Sequence, residues 1–181
     1  DGQNATTTQV GSNNYALTRQ GYDSYSDGQV PLNADVSSII QTGDSNQAYV
    51  YQDQLYSPYD LGSNSATINQ DGNANVAQVT QRYGLGISAV DQTGDNNYGH
   101  TYSNLNGTTN LIQTGNDNYG DVQSQYNGTA SLTQAGNNNS GYSYSFNSNN
   151  SAVASTTIIS QIGDDNYAYS HVYDGDSVGN N

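Results

Sequence analysis

Along the chain, small or apolar residues alternate with polar ones in short stretches, and each stretch runs into the same hexapeptide, Gln-x-Gly-x-x-Asn. The seven copies begin at Gln9, Gln41, Gln70, Gln92, Gln113, Gln134 and Gln161. Two residues later stands Gly (Gly11, Gly43, Gly72, Gly94, Gly115, Gly136, Gly163), and five after the Gln stands Asn (Asn14, Asn46, Asn75, Asn97, Asn118, Asn139, Asn166). Stepping back from the Gln by two gives Thr7, Ile39, Ile68, Val90, Leu111, Leu132 and Ile159, and by four gives Ala5, Ser37, Ala66, Ser88, Thr109, Ala130 and Thr157. Forward from the Asn, the same parity gives Ala16, Ala48, Ala77, Gly99, Gly120, Gly141 and Ala168. A period of two marks one face of a strand, so each unit reads as strand, tight turn, strand. The four residues between Gln and Asn, such as Thr42 to Ser45, are turn formers, and the fixed Gly suits a backbone conformation that other residues resist.

One such unit cannot bury its inner face. Stacked at about 4.8 Å, each position would lie above its counterpart and every backbone group would find a neighbour. The expected fold is therefore all-β: a single-domain, cross-β β-solenoid of seven stacked strand-turn-strand (β-arch) repeats. Their approximate bounds are 3–20, 35–52, 64–81, 86–103, 107–124, 128–145 and 155–172, with longer loops at 21–34, 53–63 and 146–154 and a tail at 173–181. Pro31 and Pro58 fall in the loops, where a missing N–H does not interrupt a ladder. The stack predicts two amide ladders, one of Gln and one of Asn, in which each side chain donates to one neighbour and accepts from the other. Such ladders fix the register, because a slip of one residue would turn every inward side chain outward.

Composition sharpens this picture. Leu, Ile, Val and Phe make up 28 of the 181 residues, and the formal net charge is −14. That combination is too poor in apolar residues for an ordinary three-dimensional core, so order must come from the repeat. All 16 acidic residues are Asp, Lys is absent, and the basic residues are Arg19 and Arg82. Missing straight-chain helix formers argue against long helices, and two Arg cannot neutralise a phosphate backbone, so no nucleic-acid partner is expected. Without Cys, neither disulfides nor thiol chemistry arise. No apolar run reaches the length of a membrane span, and the first residue, Asp1, fits a mature secreted chain after signal-peptide removal.

Candidate chemistry is sparse. His100 and His171 are the only imidazoles, on outward positions of different repeats, so no catalytic residue, metal site or cofactor is expected and the chain reads as a non-enzyme. Asp44, Asp95 and Asp164 share one turn position; calcium favours such oxygen ligands, yet the calcium β-roll nonapeptide is lacking, and solvated turns are the simpler reading. Ten tyrosines, including Tyr15, Tyr49, Tyr98, Tyr119, Tyr142 and Tyr167, fall on outward positions of the second strand and predict an aromatic face.

The unit Gln-x-Gly-x-x-Asn-x-Ala with a closing Gln resembles the curlin repeat of bacterial functional amyloids. Its fullest copies are Gln41 to Gln52 and Gln70 to Gln81, and the likeness spans roughly residues 3–172. The closing Gln stands at Gln20, Gln52 and Gln81 and gives way to Ser103, Ser124, Ser145 and Val172; the family's opening Ser is kept at Ser155. The resemblance implies a secreted, extracellular structural subunit of a curli-like fibre in the biofilm matrix, acting in adhesion and cell aggregation. Because the first and seventh repeats keep matching inward patterns, Thr7-Gln9-Asn14-Ala16 and Ile159-Gln161-Asn166-Ala168, other copies of this chain joined head to tail are the expected partners, and the resemblance adds a minor nucleator subunit and an outer-membrane export channel. A monomeric β-helix adhesin is the alternative, and would need capped ends. An ice-binding solenoid would need a constant outward column of Thr.

Overall fold

In the computed structural model the described residues are 2–22, 34–54, 62–82, 86–104, 107–125, 129–147 and 156–174. The loops expected at 21–34, 53–63 and 146–154, with Pro31 and Pro58, and the tail at 173–181 lie wholly or mainly outside them. Among the described residues the secondary structure is all β, with no helix.

Residues ahead of each Gln build one parallel sheet. Its strands are β1 (Asn4–Val10), β3 (Val36–Thr42), β5 (Ser65–Asp71), β7 (Ile87–Thr93), β9 (Thr108–Thr114), β11 (Thr129–Ala135) and β14 (Thr156–Ile162), hydrogen-bonded in that order. Register is constant: Gln9 pairs with Gln41, Gln41 with Gln70, and so on to Gln134 with Gln161. Residues after each Asn build a second sheet, with β2 (Tyr15–Tyr22), β4 (Gln47–Gln54), β6 (Val76–Arg82), β8 (Tyr98–Asn104) and β10 (Val122–Gln123) paired in parallel along the stack. Beyond it, β12 (Ser140–Gly141) pairs with β15 (Tyr167–Ala168), and β13 (Phe146–Asn147) with β16 (Tyr173–Asp174). Two stacked parallel walls make the fold solenoid-like. Each level of the first sheet, with the residues that follow it, is called a rung below.

The second wall is less regular than the alternation predicts: its later strands shrink to two residues. Gly120 and Gly141 stand there in place of Ala, but Gly99 holds the same position in the seven-residue β8 and β15 is short with Ala168, so glycine alone does not set strand length. The stacking hydrogen bonds nevertheless continue, as from Gly120 N to Tyr98 O at 2.9 Å and from Gly141 N to Tyr119 O at 2.9 Å.

Between the walls lies a core one side chain thick. Ile39, Ile68, Val90, Leu111 and Leu132 of the first sheet pack against Ala48, Val50, Ala77, Val79 and Val122 of the second, all buried. Opposite Gly120 and Gly141 the first wall carries Leu: a Cβ on Gly120 would lie 2.6 Å from Leu111 Cδ1, and one on Gly141 2.8 Å from Leu132 Cδ1. Volume removed from one wall is thus returned by the other, as close packing demands.

Candidate functional site

The first chemically distinctive feature of the interior is a run of amides. Gln9 Nε2 donates to Gln41 Oε1, and the pattern repeats through Gln70, Gln92, Gln113 and Gln134 to Gln161, with every link between 2.7 and 2.9 Å. From Gln41 to Gln161 the second proton of the amide crosses to the other wall: Gln41 Nε2 donates to Tyr15 O, and Gln113 Nε2 to Tyr98 O, both at 3.0 Å. One buried amide therefore ties its own sheet along the stack and joins the two sheets across it. Buried polar groups are tolerated only when paired in this way. A shorter chain runs from Gln20 through Gln52 to Gln81 at 2.8 Å per link, and beyond it Ser103 Oγ donates to Gly107 O at 2.7 Å.

The Asn side chains do something other than the simple ladder expected of them. Asn14 Nδ2 donates to Gly43 O of the next rung at 2.7 Å while Asn14 Oδ1 accepts the Asn46 backbone N–H at 2.9 Å. The same double contact is made by Asn46 to Gly72 and Asn75, by Asn75 to Gly94 and Asn97, by Asn97 to Gly115 and Asn118, and by Asn118 to Gly136 and Asn139. Each of these five Asn is a clamp on the turn that follows it. Side-chain to side-chain amide bonds are added from Asn97 onward, through Asn118 and Asn139 to Asn166.

The turns require two special conformations. Gly115 has φ 112°, and a Cβ there would stand 2.0 Å from Gly136 O of the next rung, so both the dihedral and the stacking demand glycine. The residue before each Asn is left-handed as well: Asn13, Ser45, Ala74, Asn96, Asp117, Asn138 and Asp165 all have φ between 54° and 61°. The spacing of Gln, Gly and Asn did not reveal this second position; its one signal is that five of the seven are Asn or Asp, the residues that best tolerate that region.

The turn carboxylates accept hydrogen bonds from the neighbouring rung. Asp44 Oδ1 takes the Ser12 N–H at 2.6 Å, Asp95 Oδ1 the Asn73 N–H at 2.7 Å, and Asp164 Oδ1 the Asn137 N–H at 2.7 Å. Asn73, Asn116 and Asn137 fill the same column and accept in the same manner, so no two of its Asp are adjacent and like charges are kept apart. Among the described residues no three His, Cys, Asp or Glu converge on a possible metal position. His100 Nδ1 lies 3.4 Å from Asp121 Oδ1, whereas His171 stacks on Tyr169 with ring centroids 6.4 Å apart.

On the outer side of the second wall the tyrosine ring contacts among the described residues fall into two groups rather than one face. Tyr15 meets Tyr49 near the first rung; Tyr98, Tyr119, Tyr142, Tyr144, Tyr167 and Tyr169 touch ring to ring over the last four. Gln47, Val76, Gln78 and Thr80 interrupt the columns between them. Burial, followed by the nearby Asp121 carboxylate, raises the phenol of Tyr119 above its ordinary value, and the same two causes raise Tyr144.

Set against the known protein families, the curated proteins and the solved structures, the chain matches none of them. The likeness to curlin repeats therefore stands on the repeat residues themselves.

Proposed function

We propose that the chain is the structural subunit of an extracellular, curli-like amyloid fibre, built of seven β-arch repeats that continue head to tail from one copy to the next. The observation that carries this reading is the complementarity of the two ends. β1 and β14 are the edge strands of the seven-stranded sheet, and every residue of β1 is exposed. An uncovered parallel edge is a template for another strand. The amide chain is also polar: among the described residues Gln9 Oε1 has no donor at the first rung, and Gln161 Nε2 keeps a proton free at the seventh. Acceptor at one end and donor at the other favour head-to-tail contact over a two-fold pairing, and a heterologous contact of this kind propagates as an open filament.

Outward columns support the same junction. Continued in register, the stack would bring Ile162 beside Val10 of the next copy, Tyr167 beside Tyr15 and Tyr169 beside Leu17, and all six are exposed apolar or aromatic side chains. Interior positions of the first of these columns are Thr42, Asp71, Thr93, Thr114 and Ala135. Apolar pairs thus gather where two copies would meet, and burial there would favour association. The resemblance adds biofilm adhesion as the role, with a nucleator and an outer-membrane channel as partners.

Electron microscopy of the purified chain over hours at neutral pH tests the reading. Unbranched fibres are expected. A population that stays monomeric would favour the capped adhesin instead.

A further inference from the structure

Tyr98 and Tyr119 are in register on neighbouring rungs, joined by a parallel bridge. Their rings are nearly parallel, 6° apart in plane, with centroids 5.0 Å apart. Other tyrosine pairs among the described residues are tilted or edge-on, with centroids 5.6 to 6.3 Å apart. Each of the two residues is 38% exposed, so part of each side chain meets solvent. In-register residues with parallel rings set the two phenols side by side on the outer surface of the second wall.

Composition concentrates oxidation on these rings. The chain has no Cys, no Met and no Trp, so its 17 phenols are its most readily oxidised side chains. Without Cys, and without Lys for an amide cross-link, a tyrosine pair is also the most direct covalent link that the chain can make between rungs. Tyr119 further touches Tyr142, which touches Tyr169, so a radical formed on either ring has neighbouring phenols through which to reach the stacked pair.

We infer that Tyr98 and Tyr119 form an oxidative coupling site, at which a haem peroxidase with hydrogen peroxide joins the two rings as dityrosine. Each phenol gives up one electron and one proton, leaving two phenoxyl radicals. The radicals join by a carbon–carbon bond between ring carbons adjacent to the oxygens, and the hydrogen on each of those carbons then moves to oxygen, restoring both phenols. Two hydrogen atoms leave the protein, and one peroxide is reduced to two waters. The product is a staple between adjacent levels of the second wall, placed where its strands become short.

The test uses the full chain, freshly purified and still monomeric, exposed to limiting peroxide and a haem peroxidase. The monomer fraction is then digested and mapped by mass spectrometry, so the result does not depend on whether the chain forms fibres. A peptide pair joined at Tyr98 and Tyr119 and lacking two hydrogens should dominate the cross-linked products. Tyr98→Phe and Tyr119→Phe keep the ring stack and remove one phenol; each should lower dityrosine fluorescence by about half or more, while Tyr49→Phe should leave it near the parent level. Circular dichroism of the Phe variants checks that the fold is retained. Cross-links spread evenly over the tyrosines, or a parental signal from a folded Tyr119→Phe chain, would overturn the assignment.

Discussion

Asn118 donates through Nδ2 to Gly136 O at 2.8 Å, so a side chain of one turn closes the backbone of the next. Its Oδ1 also accepts the Asn139 N–H at 3.0 Å. Replacing Asn118 with Ala leaves these buried groups without partners, a cost of about 1 to 3 kcal/mol. Asn116 makes the analogous contact to Asp95 N in an exposed column, where water can replace it, so Asn116→Ala should cost less than about 1 kcal/mol. Urea unfolding of the two variants measures the difference directly; equal midpoints would contradict the clamp.

Two turn glycines should respond differently to the same change. A Cβ at Gly115 would meet Gly136 O at 2.0 Å, within the molecule. One at Gly163 meets nothing nearer than Asn166 Nδ2 at 3.7 Å, because among the described residues no further rung is stacked on it. Gly115→Ala should destabilise the folded chain severely. Gly163→Ala carries dihedral strain of about 1 to 2 kcal/mol but remains folded, and should stop fibre growth, because the next copy's first turn would have to occupy that space. Thermal melts together with light scattering of the two variants separate these outcomes.

The free edges can be blocked one at a time. In parallel strands successive residues bond to opposite sides. Asn4 N and Val10 O bond toward β3, which leaves Thr7 N–H on the open side of β1. Gly163 N bonds back toward β11, so at the other end it is Ser160 N–H, not that of Ile159, that faces outward. Thr7→Pro and Ser160→Pro each remove one outward donor and should prevent elongation while leaving the monomer folded. Seeded growth assays check this, and parental elongation rates in both would contradict the proposed junction.

Alkaline conditions should loosen the stack through Tyr119. Its phenol is raised in the folded chain by burial and by Asp121. A raised acid favours the neutral form, so its contribution is fully present below the unfolded value of about 10 and is lost as pH climbs through the higher folded value. Stability should therefore fall above about pH 10, and less steeply in Tyr119→Phe. Denaturation midpoints across that range provide the check.

Much of this arrangement was legible in the sequence because one backbone geometry is repeated with the same residues in the same places. The Gln positions and the turn glycines recur without exception, and their period of two fixed which side faces inward. What was not legible depends on contacts between rungs. The Asn column looked like a ladder, and from Asn97 onward its amides do bond to one another, but its contacts to backbone groups of the next turn leave no mark in residue identity. The left-handed position before Asn is filled by Ser45 and Ala74 as well as by Asn and Asp, so it does not stand out. The exchange of volume between Leu111 and Gly120 joins two walls and two positions nine residues apart, a relation that no periodicity within one strand carries.

The central claim is that whole subunits stack along the axis as successive seven-rung blocks. Electron cryomicroscopy of the fibres measures the axial rise per subunit. Seven rungs at about 4.8 Å predict a rise of roughly 34 Å, with the Gln chain continuous across the junction. A rise near a single strand spacing, as in a flat stack of one chain per layer, would contradict it.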